Sequence, residues 1–379
     1  MITVTDIPFS NSIVIATLLA VLCLSFRRTQ HRELFPVPVT QELKGLGILT
    51  IVFAHISYML VTDNTFLAPL SLAAGVGVDL FLFMSGYGLT VGMLKKPLPA
   101  IMFYRRRLIK VFIPFWIVLA ILFVCDRLFL DIHYTLIYIL RSFFGWFPSA
   151  NAYKDVNSPF WYISWMLMFY ALFPLLFMHS RPWLTAILLS IIANIFVLVD
   201  PLQLQVNWLH RLHTNAFSLG MLLAWWLGSH PEQQQRLEQF RQQPNNALRT
   251  LIVITSLTFA AYMAAHNGMD HWPMVATALE SMGFNAKFFI GQTTSLFAMA
   301  ALIIGFSLKR WDNRFLHLQG VYSYETYLMH WPLMYRYDIF FRFLPAWAAT
   351  LAWLAAFIGI GWCLQKITTP IGAWVDRTR

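Results

Sequence analysis

The sequence predicts an all-α protein: a polytopic transmembrane helix bundle of about 10–11 spans, N-terminus outside and C-terminus cytoplasmic. Three observations predict it. Of 379 residues, 58% are hydrophobic and only 12% charged, against roughly 25% charged in a soluble domain. Mean hydropathy is +0.60. Apolar runs recur along the chain, each near the about 20 residues that cross a hydrocarbon core of roughly 30 Å. This composition excludes a water-soluble enzyme, a disordered chain and a nucleic-acid-binding domain. The formal net charge of +10 therefore points to basic loops beside a bilayer, with no nucleic-acid partner.

Eleven runs qualify, near 10–26, 43–61, 71–94, 110–130, 160–178, 183–199, 212–228, 249–265, 288–308, 321–341 and 346–363. The stretch before the first run lacks Lys and Arg, whereas Arg27, Arg28 and Arg32 follow it. That is the reverse of a secretory leader, and it sets residues 1–35 apart as an extra N-terminal transmembrane anchor ahead of one membrane domain, 36–379. Alternating the spans from an outside N-terminus places 20 of the 27 Lys and Arg residues in the cytoplasm. Outside remain Arg127, Arg141, Lys154, Arg211, Lys287, Arg336 and Arg342, the bias expected of a multi-pass protein of a cell (inner) membrane. The Gln-rich stretch from Gly228 to Asn246 reads as a solvated, partly helical cytoplasmic loop. The outer loop, Asp131 to Pro159, is aromatic-rich and reads either as an interfacial belt or as an acceptor-binding segment that dips back into the protein. Cys23, Cys125 and Cys363 lie in apolar runs, with no pairing or metal-ligand spacing, and read as inert packing residues.

Ionisable side chains inside spans are costly and mark function when several occur together. His55, Asp79, Glu325 and His330 are such residues. Lys44 and His55 are eleven residues apart, three helical turns on one face, with a rise of about 16 Å. They cannot touch each other, but a ligand with an anionic head and a long thin arm can touch both. The bland alternative is a snorkelling lysine and a structural histidine. Arg105, Arg106, Arg107 and Lys110 form a basic cluster at the inner end of the fourth span; it suits phosphate groups, although positive-inside anchoring explains much of it. Asp79 sits at a depth comparable to His55, and is expected to orient that imidazole if the two helices adjoin. Its flanking glycines, Gly75 and Gly77, read as helix-packing positions.

Taken together, these segments resemble the membrane acyltransferase 3 family, multi-pass acyltransferases that often O-acetylate cell-surface glycans. The resemblance rests on four segments in register. They are the Lys44–His55 helix, Gly77-Val-Asp79-Leu-Phe-Leu-Phe-Met-Ser85-Gly86, the Arg106-Arg107-Leu-Ile-Lys110 motif through Pro114 and Trp116, and Ser323-Tyr-Glu325-Thr-Tyr327-Leu-Met-His330. Lys44 and Lys110 stand where the family often has Arg, which keeps charge and loses bidentate geometry. Met166 stands where many members carry Glu, so no glutamate acts there. No fused esterase-like domain is expected.

The resemblance implies an acyl-CoA donor, most often acetyl-CoA as co-substrate, and a hydroxyl acceptor on a cell-surface or lipid-linked glycan. Lys44, Arg105, Arg106, Arg107 and Lys110 are then expected at the CoA phosphates, His55 as general base with Asp79 as its partner, and Ser85, Trp161, Glu325, Tyr327 and His330 on the substrate side. Ser323, Tyr327 and His330 share a helix face; Glu325 does not. Acyl transfer needs no metal, and the spacing offers no metal-ligand set. The alternative reading is a transporter or exporter of a glycan or small molecule; it would be expected to show related halves or matching broken helices. Neither is visible.

Overall fold

The structure, a computed structural model, describes the chain except for residues 1, 29, 30, 32, 72, 244, 245, 247, 250, 251, 254, 257–272, 282–284, 378 and 379. It is a polytopic all-helical bundle. Among the described residues, eight helices are long and apolar enough to cross a membrane. They are Ile7–Leu24, Val37–Leu60, Ala74–Lys95, Ala100–Phe129, Ser158–Leu176, Pro182–Val199, Phe288–Leu308 and Ala346–Trp374.

Three of the eleven predicted runs are not among these. The run near 249–265 lies largely outside the described residues, as does Arg32. The run near 212–228 folds as Ala216–Ser229, only 14 residues. The run near 321–341 is Ser323–Tyr335, 13 residues, which rises only about 20 Å. Apolar content alone could not reveal these stops; Ser323–Tyr335 is largely buried among other helices and need not match the bilayer thickness, and Ala216–Ser229 buries one face against its neighbours.

Glycine sets the centre of the bundle. A Cβ at Gly86 would fall 2.0 Å from the Phe217 carbonyl oxygen, and one at Gly220 would fall 2.1 Å from that of Phe83. Only backbone without side chains lets Ala74–Lys95 and Ala216–Ser229 approach this closely. Gly45 and Gly320 do the same for Val37–His55 and the short helix Arg314–Val321, with Cβ positions 1.9 Å and 1.8 Å from the Leu316 and Gln41 carbonyl oxygens. In hydrocarbon, such close packing replaces the hydrophobic drive that water supplies to soluble cores.

Two helices carry a wide turn at a chemically important position. Val37–His55 runs directly into a π-helical turn, Ile56–Leu60, so His55 sits at the junction. The helix holding the basic cluster has its own π-turn, Leu108–Phe112. There the cause is Pro114, which has no N–H for the Lys110 carbonyl; the Ile113 N–H reaches back to Leu108 instead. The cluster therefore lies within a helix that starts at Ala100, and not in a loop before a span at 110.

The cation-rich side of the bundle is tied by polar contacts. Phe26–Arg28 pairs antiparallel with Trp311–Asn313. Lys309 Nζ donates to Glu42 Oε2 at 2.6 Å, and the Asn313 N–H donates to Glu42 Oε1 at 3.0 Å. Arg241, from the helix Pro231–Gln242 in the Gln-rich stretch, donates to the Glu33 and Lys309 carbonyls. That stretch is thus docked at one point, where free solvation was expected. The cysteines also differ from expectation: Cys23 and Cys363 are exposed on apolar helices and do not pack inside.

On the opposite side the aromatic loop dips back into the protein. Phe147, Val156, Asn157 and Phe160 are buried. Asn157 Nδ2 donates to the Leu328 carbonyl at 2.9 Å, and Trp331 Nε1 to the Ala152 carbonyl at 3.0 Å. Buried Asp126 accepts from Arg336 and, at 2.7 Å each, from the hydroxyls of Tyr134 and Tyr337. Arg336 also donates to the Asp155 carbonyl. Burial, then the bond to Asp126, pushes the Tyr134 hydroxyl well above its usual range, so it remains a donor.

Candidate active site

The helix Val37–His55 brings Lys44, Ile51 and His55 onto one face, as their spacing dictates. Ser323–Tyr335 lies against it, and presents His330 to His55. His55 Nδ1 and His330 Nε2 are 2.7 Å apart, and the rings stack at 4.9 Å with 12° between planes. His330 is fully buried and His55 half-buried.

The hydrogen bonds around His330 fix the tautomers. Its Nδ1 lies 3.1 Å and 2.9 Å from the Thr326 and Tyr327 carbonyl oxygens, which only accept. Nδ1 therefore carries a proton, and in the neutral ring Nε2 is an acceptor. His55 Nδ1 must then donate to it, which leaves the lone pair of His55 on Nε2. A histidine held this way is a base with one defined reactive nitrogen.

A cavity of about 370 Å³ begins among cations and ends one turn short of this pair. Lys44, Arg107 and Lys110 line it, with Ser85, Met166, Tyr162, Tyr170, Ser323, Tyr324 and Tyr327. Ile51 and Tyr327, each about one turn before a histidine of the pair, mark its far end; the Tyr327 and His330 rings are 6.2 Å apart. Arg107 lies over the rings of Phe103 and Tyr170, at 5.7 Å and 5.8 Å. Met166 gives this wall an apolar side chain. The Tyr327 hydroxyl donates to the Pro159 carbonyl at 2.5 Å, which ties the site to the aromatic loop above.

Several expected residues lie elsewhere. Asp79 does not meet His55. Its two oxygens pair with His213 Nδ1 at 2.7 Å and Ser295 Oγ at 2.5 Å, fully buried. The two helices do adjoin, at Gly47 and Gly77, but Asp79 faces the opposite neighbours, Ala216–Ser229 and Phe288–Leu308. Trp161 stacks on His213 at 5.9 Å and so belongs with this second cluster. Beside it, His210 stacks on Trp165 at 4.6 Å; burial lowers its pKa to about 4. Ser85, by contrast, lines the cation-lined cavity, where it shares a 2.5 Å hydrogen bond with Tyr170. Glu325 and Arg106 line a different cavity, on the cation-rich side, and Arg105 lines neither.

Sequence reading missed His213, Ser295 and the tyrosines 162, 170 and 324. A serine or tyrosine in an apolar helix carries no signal by itself, and His213 stands at the very start of the run expected near 212–228, where an ionisable residue is ordinary. His330, expected on the substrate side, meets His55. The common face of Ser323, Tyr327 and His330 was visible, but not which helix that face meets.

The family described as an acyltransferase domain, Acyl_transf_3, matches residues 43–365. No curated protein and no solved structure matches the chain. The match takes in the His55 helix, the basic cluster and the His330 helix, most of the 379 residues, and the chain belongs to the acyltransferase 3 family of membrane acyltransferases.

Proposed function

We propose that the protein moves an acyl group, acetyl in the simplest case, from cytoplasmic acyl-CoA to a hydroxyl of a cell-surface or lipid-linked glycan in the cell (inner) membrane. The observation that carries this reading is the cavity that runs from three cations to within about one helical turn of the histidine pair. Lys44, Arg107 and Lys110 suit the phosphates of CoA. The apolar, tyrosine-lined remainder suits the pantetheine arm, and the about 16 Å rise from Lys44 to His55 suits its reach.

His55 Nε2 takes the acceptor hydroxyl proton as its oxygen bonds to the thioester carbonyl carbon. The carbon–sulfur bond then breaks, and the proton passes from His55 to the departing CoA thiolate. His330 touches neither substrate in this scheme. It holds His55 Nδ1–H, and so orients the ring and steadies the imidazolium while it lasts. The aromatic loop closes the opposite side and keeps water from the thioester.

The reading is tested by expressing the wild type and His55→Ala in cells and weighing extracted glycans and lipids by mass spectrometry. A one-acyl mass gain with the wild type, lost with His55→Ala, is the expected result. Acylation that survives the loss of His55 refutes the mechanism, and an unmodified glycan whose export changes favours a transporter.

A further inference from the structure

Several hydroxyl groups line the cation-lined cavity, and most are already engaged by protein. Ser323 Oγ donates to the Gly320 carbonyl at 2.8 Å, the Tyr324 hydroxyl to the Val111 carbonyl at 2.8 Å, and the Tyr327 hydroxyl to the Pro159 carbonyl at 2.5 Å. Ser85 and Tyr170 share one hydrogen bond, so that pair keeps a single free proton. Tyr162 differs. Among the described residues no group hydrogen-bonds its hydroxyl, and that oxygen is not sealed off by protein. A ligand that expels water from the cavity must bring an acceptor there, or leave a donor unmet at about 1–3 kcal/mol.

The helix Ser158–Leu176 sets the depth of this donor. Tyr162, Met166 and Tyr170 recur every four residues, so all three face the cavity from one stripe. Arg107 lies over the Tyr170 ring at 5.8 Å, which puts Tyr170, and the spare proton it shares with Ser85, at the cation end. Tyr162 is two turns away, a rise of about 12 Å. Its ring meets the Tyr327 ring edge-on at 5.6 Å, and Tyr327 lies one turn before His330. A ligand seated with its phosphates at Lys44, Arg107 and Lys110 therefore has the tip of its arm beside Tyr162.

On the acyl-CoA reading, on which this role rests, the tip of the arm is a thioester, and its acceptor is the carbonyl oxygen. We infer that the Tyr162 hydroxyl donates a hydrogen bond to that oxygen and stabilises the negative charge it gains when the acceptor hydroxyl adds to the carbonyl carbon. The tyrosine keeps its proton throughout. Its hydrogen bond strengthens as charge builds on the oxygen, and weakens when the carbon–sulfur bond breaks and the carbonyl re-forms. His55 takes the proton of the acceptor while Tyr162 holds the oxygen of the donor, so the two act on different atoms.

The test titrates two unreactive analogues of acetyl-CoA calorimetrically into purified full-length protein in detergent. In one, a methylene replaces the sulfur and the ketone carbonyl remains; in the other, S-ethyl-CoA, a methylene replaces the carbonyl. The wild type is expected to bind the ketone about 2- to 10-fold more tightly, the worth of one hydrogen bond. Tyr162→Phe is expected to bind the two alike, and to hold S-ethyl-CoA as the wild type does, which also shows that the cavity is intact. In turnover it is expected to lower kcat about 10²- to 10³-fold, the usual loss for one such donor, with donor KM raised no more than about tenfold. A wild type without the ketone preference overturns the inference and leaves the acyl-CoA reading standing. So does a Tyr162→Phe protein that keeps the preference, weakens both analogues by one factor, or turns over normally. A wild type that binds neither analogue overturns both.

Discussion

Replacing His330 with Leu removes the acceptor of His55 Nδ1–H together with the Nδ1–H that meets two carbonyls of its own helix. The Thr326 and Tyr327 carbonyls that His330 Nδ1 meets belong to a helix, so they keep backbone partners. His55 does not: its Nδ1–H, 2.7 Å from His330 Nε2 in the wild type, is left facing apolar atoms. An unmet buried donor costs about 1–3 kcal/mol. The ring escapes that cost by turning or by moving its proton to Nε2, and either change removes the base from the acceptor. At about 1.4 kcal/mol per factor of ten, turnover should fall about 10- to 100-fold on the hydrogen bond alone. It should approach the full general-base contribution of about 10²–10⁴ if the wrong tautomer prevails. His330→Gln, whose amide oxygen can accept from Nδ1–H, should recover most of the loss. The assay is thiol release from acetyl-CoA by purified protein with a hydroxyl acceptor, with kcat and donor KM measured separately. Donor KM should not move, because Lys44 and Arg107 are untouched. A His330→Leu protein with normal turnover, or one in which only the donor KM shifts, would refute the positioning role.

Neutralising Lys44 or Arg107 should do the opposite: a donor KM raised about tenfold or more, as expected for one lost charge-assisted contact, with little change in kcat, read from acyl-CoA titrations. Gly320→Ala should destabilise the bundle by about 3 kcal/mol or more through overpacking, because its Cβ would meet the Gln41 carbonyl oxygen at 1.8 Å; thermal unfolding in detergent checks it. Asp126→Asn leaves the buried Arg336 without its counter-charge, at about 3–5 kcal/mol. Trypsin should then cut faster at Arg141 and Lys154 in the aromatic loop, and an unchanged cleavage rate would contradict the clasp.

Much of the architecture was readable because hydrocarbon imposes length. Runs of apolar residues near 20 become helices that cross it, and the span near 183–199 appears as Pro182–Val199. The short helices Ala216–Ser229 and Ser323–Tyr335 were not readable as such, since an apolar run does not show where its helix stops; protein surrounds most of Ser323–Tyr335. Within the site, a helix periodicity places residues on a face but is silent about the neighbour that face meets. Lys44 and His55 on one stripe could be derived from spacing alone. The partner of His55 could not: depth pointed to Asp79, whereas the helix carrying Asp79 meets the His55 helix at Gly47 and Gly77 and Asp79 itself pairs with His213. The basic cluster divides for the same reason. Arg106 and Arg107 are adjacent in sequence, about 100° apart around a helix, and they line different cavities.

The most direct measurement of the central claim follows label from the donor. Purified protein in detergent is given acetyl-CoA labelled on the acetyl carbon together with a hydroxyl-bearing glycan acceptor, and labelled glycan is counted for the wild type, His55→Ala and Asp79→Asn. The account predicts label on the glycan with the wild type, background label with His55→Ala, and substantial transfer by whatever Asp79→Asn protein remains folded. Transfer at the wild-type rate without His55 would contradict it.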